Sequence, residues 1–176
     1  IHHVDGKIQW LDAEHYPYVI NPDNNALWTA NSRVVNGDDL KKVGDGGYAL
    51  GVRAKLIRDK LIKLDNANER DLLAIQLDTD AELYWRWRDH LLSELQKQPF
   101  KSNQHQEAID LIKHWNGKSD SDQAGFTLIR AYRNNVKKQL LSPLTKQLDK
   151  NAKYSFSHYS SQYEQTLWTL VTEQPS

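Results

Sequence analysis

Seven residues near the end of the chain combine two residue types that act in nucleophilic catalysis. The segment Ser155–Ser161, SFSHYSS, places serine hydroxyl groups beside His158, and a histidine can take the proton of a serine nucleophile. Such a pair also needs a third group and an oxyanion hole, which the fold must place and which sequence neighbours rarely supply. The chain has no G-x-S-x-G elbow. We therefore interpret the segment as a serine-rich loop in which Ser157 or a neighbour caps the last helix.

Two groups of side chains near the N-terminus have types that bind metal ions in proteins. They are His2, His3 and Asp5, and Asp38, Asp39 and Asp45. The histidine pair lies at a chain end, where residues are usually poorly ordered. The spacing of the aspartates differs from that of an EF-hand loop. We therefore assign no metal ligand to either group.

Three glycines, Gly44, Gly46 and Gly47, precede a helical pattern and could bend the backbone round a phosphate. The surrounding sequence, VGDGGYALG, matches neither the P-loop nor the dinucleotide-binding fingerprint. It is interpreted as a flexible loop, and no cofactor is expected in this segment.

The run Tyr84–His90, YWRWRDH, interleaves aromatic side chains with arginines, as in proteins that stack on bases and pair with phosphates. On a helix, Tyr84, Trp87 and Leu91 share one face, which is typical of a packed core. Arg86 would then point away from the core into solvent, with Asp89 offsetting part of the charge. The whole chain carries 23 Lys plus Arg and 23 Asp plus Glu, with the basic residues scattered. No nucleic-acid partner is therefore expected.

The elements that must position these side chains are mainly helices. In the first 35 residues, β-branched and aromatic residues broken by turn formers predict short strands and extended segments. From Leu50 onward, apolar residues recur at helical spacing. The first predicted helix covers about 14 residues from Leu50, the second begins with a capping box of Asn66 and Glu69 and runs to Gln76, and the third covers residues 80–97. A fourth helix is marked by Ala108, Leu111, Ile112 and Trp115, and a fifth covers about 18 residues from Phe126. A short helix begins at Ser142-Pro143, and a last helix runs from Tyr163 to Val171. The predicted fold is mainly α, with about six helices and short β-strands or extended segments in the first 35 residues, in a single domain of residues 1–176.

Composition excludes several classes of protein. The absence of cysteine excludes disulfides, thiol nucleophiles and thiolate metal sites. No apolar run approaches the roughly 18 residues of a membrane span, so a soluble chain is expected. The chain contains no methionine and begins with Ile1. This favours an internal fragment or processed piece of a larger protein.

A small, polar triplet interrupts the apolar stretch YVINPDNNALWTANSRVV, residues 18–35. Thr29-Ala30-Asn31 stands where a buried strand would carry Val or Ile. Asn31 could hold a backbone turn or border a substrate cleft, and the turn is the favoured interpretation.

Five motifs in one order carry a resemblance to a known family. They are Trp10, Asn21-Pro22, Thr29-Ala30-Asn31, Arg53-Ala54 with Ile57-Arg58, and Gln76-Leu77-Asp78. This order resembles the β-chain of the penicillin amidase (penicillin acylase) family, within the N-terminal-nucleophile hydrolase superfamily. The resemblance is dense from Trp10 to Leu95 and looser over residues 100–176.

The resemblance implies a parent enzyme that hydrolyses linear amide bonds, including those of β-lactam side chains and acyl-homoserine lactones. Members are exported to the periplasm and cut themselves into two chains; the freed α-amino group of a serine nucleophile acts as its base, and an asparagine side chain helps to stabilise the oxyanion. The resemblance is taken to place that serine and that asparagine upstream of Trp10. No catalytic residue is therefore assigned, and the segment is expected to be an inactive scaffold.

The expected partners follow from the same resemblance. They are the remaining chains of the parent acylase, a small N-acyl substrate of that parent, and a second copy bound through exposed apolar surface. A structural calcium ion is expected only in the parent. The alternative hypothesis, from a different class, is a non-catalytic helical domain that binds another protein.

Overall fold

The computed structural model describes residues 2–4, 7–99, 102–146, 150 and 162–173. This part of the chain is mainly helical, as the sequence predicts, and it contains seven α-helices. Contacts divide the chain into two compact units, one of residues 1–76 with 152–176 and the other of residues 77–151. The single domain of residues 1–176 stays a prediction. Asp5 and the segment Ser155–Ser161 lie outside the described residues.

The first unit begins with the only paired strands among the described residues. Strands β1 (His2–Val4) and β2 (Lys7–Gln9) are antiparallel, with His2 opposite Gln9. The helical elements of this unit are a 3-10 turn at Ala13–His15, α1 (Gly37–Val43), α2 (Val52–Leu61), α3 (Glu69–Gln76) and α7 (Glu164–Glu173).

The structure does not support the short strands predicted between residues 10 and 35. All of these residues are described, and none belongs to a strand. Asn21, Asn25 and Asn31 have φ values of 49, 52 and 57°. This left-handed conformation interrupts the pleated geometry that a strand needs. The β-branched pattern therefore forms irregular extended segments separated by asparagine turns.

Helix α3 has a capping box two residues later than the sequence predicted. The Oδ1 atom of Asn68 accepts hydrogen bonds from the backbone N–H groups of Arg70 (2.9 Å) and Asp71 (3.4 Å). The Asp71 carboxylate in turn accepts from the Asn68 N–H at 3.0 Å. Asn66, the predicted cap, instead has a φ of 55°. The predicted pair of Asn66 and Glu69 is wrong because Asn68 and Asp71 form the reciprocal pair.

The second unit is built from three helices that pack on one another. They are α4 (Tyr84–Lys97), α5 (Asn103–Lys113) and α6 (Ala124–Thr145). Trp87, Ile112 and Ile129 are almost fully buried, and Trp115 is nearly so. Aromatic rings meet at the contacts, with Trp85 and Trp115 at 4.7 Å between centroids. Burial of these large side chains is the main favourable contribution to the packing of the unit.

The aromatic face predicted for Tyr84–His90 is confirmed, but its charged face is not fully solvated. Trp87 and Leu91 are buried on α4. Arg86, predicted to point into solvent, has a buried Nε atom. Arg88 donates to the carbonyls of Ile112 at 3.3 Å and Lys113 at 3.1 Å, in the last turn of α5. A cation at this helix end stabilises carbonyls that lack helical partners.

Two details of the predicted helices α5 and α6 are wrong. On α5, Ile109 and Ile112 are buried, whereas Leu111 is 40% exposed. Helix α6 continues through Pro143 to Thr145 and does not restart at Ser142. A proline in a helix removes one hydrogen bond. Here it lies in the last turn, where Leu141 and Thr145 on the same face are both buried and hold the turn in place.

Gly125 allows helices α5 and α6 to approach closely. A Cβ atom at this position would collide with the backbone carbonyl of Leu111 and lie 3.1 Å from the Cβ of Trp115. Because a backbone carbonyl cannot move aside as a flexible side chain can, only glycine fits at this crossing.

Two backbone hydrogen bonds join the start of the second unit to the connection between α5 and α6. Ala81 N–H donates to the carbonyl of Gly117 at 2.8 Å, and Ser119 N–H to that of Thr79 at 2.9 Å. Between them, Lys118 Nζ lies 2.6 Å from an Asp80 oxygen and 3.5 Å from one of Asp78. The two carboxylates raise the pKa of Lys118, chiefly through the hydrogen bond that Lys118 donates to Asp80. The Asp78 of the Gln-Leu-Asp motif therefore lies in a structural contact.

Among the described helices, none combines the length and the apolar character that crossing a bilayer requires.

Candidate functional site

The Thr29-Ala30-Asn31 motif forms a turn, as the favoured interpretation of Asn31 predicted. Asn31 has a φ of 57°, a conformation that asparagine adopts more readily than most residues. Its carbonyl accepts a hydrogen bond from the Ala49 N–H at 2.8 Å. Ala30 and Ser32 on either side are buried. The turn is thus fixed at both neighbours, while the Asn31 side chain remains exposed.

Arg53, on α2, fixes the orientation of the Asn31 amide. One guanidinium nitrogen, Nη2, donates to the carbonyl of Ala30 at 3.1 Å and to Oδ1 of Asn31 at 3.2 Å. Because Oδ1 is directed toward the Arg53 guanidinium, the other end of the planar amide, Nδ2, is directed away from Arg53. Within the described part of the chain, Nδ2 has no hydrogen-bond acceptor. The site therefore presents an oriented, accessible N–H donor.

A cavity of about 610 Å³ lies in the same unit. Its walls come from residues 19–34, from residues 49–58 and from Gln162. Gln162 donates to the carbonyls of Tyr48 (3.1 Å) and Ala49 (3.0 Å), which holds the chain before α7 against the loop before α2. Apolar walls with a few convergent polar groups are the usual form of a small-molecule site.

Two aspartates hold the cationic side chains of this cavity. Arg33 donates through Nε and Nη2 to the two oxygens of Asp45, with the Nε contact at 2.6 Å. Asp59 accepts from Lys55 at 2.9 Å and from Arg58 at 2.8 Å. These hydrogen bonds, Lys55 first and Arg58 next, lower the pKa of the Asp59 carboxyl. Asp59 is thereby ionised and shared between two cations.

The aspartates near the N-terminus, to which no metal ion was assigned from the sequence, pair with basic side chains. Asp38 and Asp39 pair with Lys41 and Lys42, at 2.7 and 2.9 Å, and Asp45 pairs with Arg33. No group of three His, Cys, Asp or Glu side chains in the described part of the chain could hold a metal ion. His2 and His3 belong to β1. The calcium ion expected in the parent stays a prediction.

The glycine-rich loop has one definite structural role. Gly44, with a φ of 92°, ends α1, and its N–H donates to the Leu40 carbonyl at 2.7 Å. A positive φ just past a helix end favours glycine, since it has no Cβ. The glycine at this position therefore reflects helix termination.

Sequence reasoning missed a polar pair between α4 and α6. The Tyr132 hydroxyl lies 2.8 Å from Nδ1 of His90, and the two rings stack. Burial lowers the pKa of His90, with Lys97 adding to the effect and Glu94 opposing it. Burial also raises the pKa of Tyr132. Only the helical spacing of Tyr132 was visible in the sequence, and spacing alone does not reveal its partner 42 residues away.

The contact between Arg53 and Asn31 was also not predicted. The two residues are separated by 22 positions, and nothing in their types shows that they meet. The sequence offered one indication of the contact, because Asn31 and Arg53 each belong to a motif that carries the family resemblance.

Comparisons with known proteins test that resemblance. No curated protein matches the chain significantly, and no solved structure does either. The family model described as penicillin amidase matches residues 3–176, which is nearly the whole chain and includes both the Asn31 turn and the three-helix unit. The chain therefore belongs to the penicillin amidase family.

Proposed function

We propose that this chain is part of an acylase that hydrolyses linear amide bonds in β-lactam side chains, acyl-homoserine lactones or related N-acyl compounds. The single observation that carries the proposal is the family match over residues 3–176. The parent acylase acts in the periplasm, and its nucleophile is a serine whose freed α-amino group serves as the base. The partners of this chain are the other parts of that enzyme.

Within the parent enzyme, the three-helix unit has the properties of a scaffold. Two of its serines act in structure: Ser102 caps α5 by accepting from the His105 N–H at 3.1 Å, and Ser119 Oγ donates to the Thr79 carbonyl at 3.0 Å. Aromatic contacts join its helices, and Trp87 is fully buried among them, so close packing favours a rigid unit. A rigid support of this kind keeps catalytic groups within the narrow geometry that amide hydrolysis requires.

An activity assay on two proteins tests this proposal. The parent acylase and this chain alone are each given N-acyl derivatives of a chromogenic amine, and release of the amine is followed. We expect turnover by the parent and none by the chain alone. Turnover by the chain alone would contradict the scaffold role. A correctly self-cleaved parent that is inert toward every N-acyl compound would contradict the acylase.

Asn31 supports a second, more direct role for this chain. Its Nδ2 donor is exposed and oriented by Arg53, which is what stabilising a developing oxyanion needs. This role differs from the expectation that the chain contributes no catalytic group. In it, Asn31 donates a hydrogen bond to the amide carbonyl oxygen of the substrate.

The substitution Asn31→Gly in the parent acylase tests the donor role. Glycine accepts the positive φ of this turn, so folding should be retained while the amide is lost. We expect kcat to fall by about 100-fold or more, as on removal of one oxyanion donor, with little change in KM. Asn25→Gly, at another asparagine with positive φ, is the matched control and should leave kcat unchanged. Unchanged kcat in Asn31→Gly would limit Asn31 to the turn.

A further inference from the structure

Apolar and cationic side chains both line the cavity beside α2, together with the neutral polar side chains of Asn24, Ser32 and Gln162. Val19, Leu27, Trp28 and Val34 supply apolar surface, and Arg33, Lys55 and Arg58 supply positive charge. None of the described residues that line the cavity is Asp or Glu. A ligand that fills it must therefore match apolar walls at one part and cations at another.

Each arginine that lines the cavity uses the same two nitrogens toward an aspartate. Arg33 contacts the two oxygens of Asp45 through Nε and Nη2, whereas Arg58 contacts the single oxygen Oδ1 of Asp59 through Nε and Nη2. A guanidinium has five N–H donors in a planar fork. In each arginine the Nη1 group therefore keeps its donors, and the aspartate holds the guanidinium plane in place. Such fixed donors suit a carboxylate, which accepts hydrogen bonds from arginine with high geometric specificity.

The charges around the cavity also favour an anion. Asp59 is shared by Lys55 and Arg58, so neither cation has this carboxylate to itself. A bound carboxylate would add negative charge in a cavity that three cations line and whose apolar walls weaken screening by water. A bound ammonium group would meet three cations and no lining carboxylate.

We propose that this cavity binds a carboxylic acid with an apolar chain, held by Arg33 and Arg58 at the carboxylate and by Leu27, Trp28 and Val34 along the chain. The choice of an acyl acid rests on the proposed function, because hydrolysis of an amide releases one. The serine hydroxyl oxygen of the parent adds to the carbonyl carbon, the C–N bond breaks and the amine leaves with the hydroxyl proton. Water then hydrolyses the resulting ester, which releases the acid and restores the serine. The cavity is then a subsite for the acid product, separate from the amide of Asn31, which does not line it.

Calorimetric titration of this chain with three eight-carbon ligands tests the inference. Octanoate is the probe, octanamide is its uncharged counterpart, and octylamine carries the opposite charge. We expect octanoate to bind about tenfold more tightly than octanamide, the value of one good charged contact, and octylamine to give no measurable binding. Equal binding of octanoate and octanamide, or no binding of octanoate, would overturn the inference.

Substitutions place the bound acid in the cavity. Arg58→Gln and Arg33→Gln should each weaken octanoate binding about tenfold, and circular dichroism should show that both variants remain folded, since exposed ion pairs contribute little to stability. Arg70→Gln, on the exposed surface of α3, is the matched control and should change binding less than twofold. If Arg33→Gln and Arg58→Gln bind octanoate as tightly as Arg70→Gln, the acid binds elsewhere and the inference fails.

This test is independent of the amidase assay. Binding that depends on Arg33 and Arg58, together with an inactive parent, would support the subsite and contradict the acylase. An active parent without arginine-dependent binding would support the acylase and contradict the subsite.

Discussion

Single residues set the close contacts on which both units depend. Gly125 lets α6 approach the backbone of Leu111, and Arg53 fixes the amide of Asn31. In both cases the important property is local geometry: the absence of a Cβ atom at one position, and the direction of one hydrogen bond at the other. Such positions tolerate substitution less well than larger residues that are merely buried.

Gly125→Ala should lower the free energy of unfolding by about 3 kcal/mol, at the upper end of the usual cost of overpacking. The added methyl group would collide with the Leu111 carbonyl, and one of the two helices would have to move. Gly46→Ala is the matched control, because no atom lies within 4 Å of its added Cβ and its φ is not positive. Urea denaturation compares the two variants. An equal, small effect in both would show that α5 and α6 do not cross this closely.

At the scale of elements, helix ends and the contacts between helices decide which predictions hold. The α4 core was predictable because Trp87 and Leu91 repeat at a spacing of four, which places both on one face. The cap of α3 was misplaced since Asn66 and Asn68 are both good cap residues, each with an acidic residue three positions later. Only the backbone conformation distinguishes them, and this depends on how the preceding turn closes.

The α3 cap predicts a difference between two acidic residues in one helical turn. Asp71→Ala should destabilise the chain by about 1 kcal/mol, the usual value of a capping interaction. Glu69→Ala should cost distinctly less, because Glu69 shares with Asp71 only the favourable effect of negative charge at a helix start. Thermal denaturation of both variants is the measurement. A larger loss of stability in Glu69→Ala than in Asp71→Ala would support Asn66 as the cap of α3.

The contact between α4 and α6 predicts sensitivity to acid. The pKa of His90 lies below its ordinary value of 6.5 in the folded chain, because burial disfavours the charged ring. The unfolded chain therefore takes up a proton first as the pH falls. The contribution of neutral His90 to the free energy of unfolding is complete above pH 6.5. It is lost as the pH falls through the lowered pKa that His90 has in the folded chain.

Denaturation at pH 7.5 and 5.5 measures this effect. The wild-type chain should lose more stability between the two values than His90→Gln, which cannot titrate. Glu94, Lys97 and Tyr132 are ionisable groups that interact with His90, and they remain in both proteins. The variant His114→Gln is the control, since His114 lies outside this contact. An equal loss in the wild type and His90→Gln would remove His90 as the cause.

At the scale of the whole molecule, the sequence predicted the helical class and the family but not the first 35 residues. Helices from Leu50 onward have local periodicity that a sequence displays. The segment from Trp10 to Val35 has no such period, and its left-handed asparagines are compatible with several turns. The Asn31 site was unpredictable for the same reason, since Arg53 and Ala49 reach it from far along the chain.

The exposed apolar side chains of the first unit predict association. Trp10 is 83% exposed, and Tyr18, Ile20 and Leu27 are also largely exposed. Apolar surface of this extent usually marks an interaction site. We therefore expect the isolated chain to form dimers as its concentration rises in sedimentation experiments. Ile20→Lys should weaken the dimer, whereas Asn24→Lys adds the same charge without removing apolar area and should not. A monomer at every concentration would contradict this.

The hydrogen bonds from Gln162 to the carbonyls of Tyr48 and Ala49 connect residues more than 110 positions apart. All residues of the three-helix unit lie between these positions in the chain. During synthesis, that unit leaves the ribosome whole, and its contacts between nearby residues can form early. The first unit acquires Gln162 only after the three-helix unit has been made. Val19, Leu27 and Val34, which are exposed and line the same cavity as Gln162, therefore gain this neighbour late, and we expect the nascent chain to need protection from aggregation there.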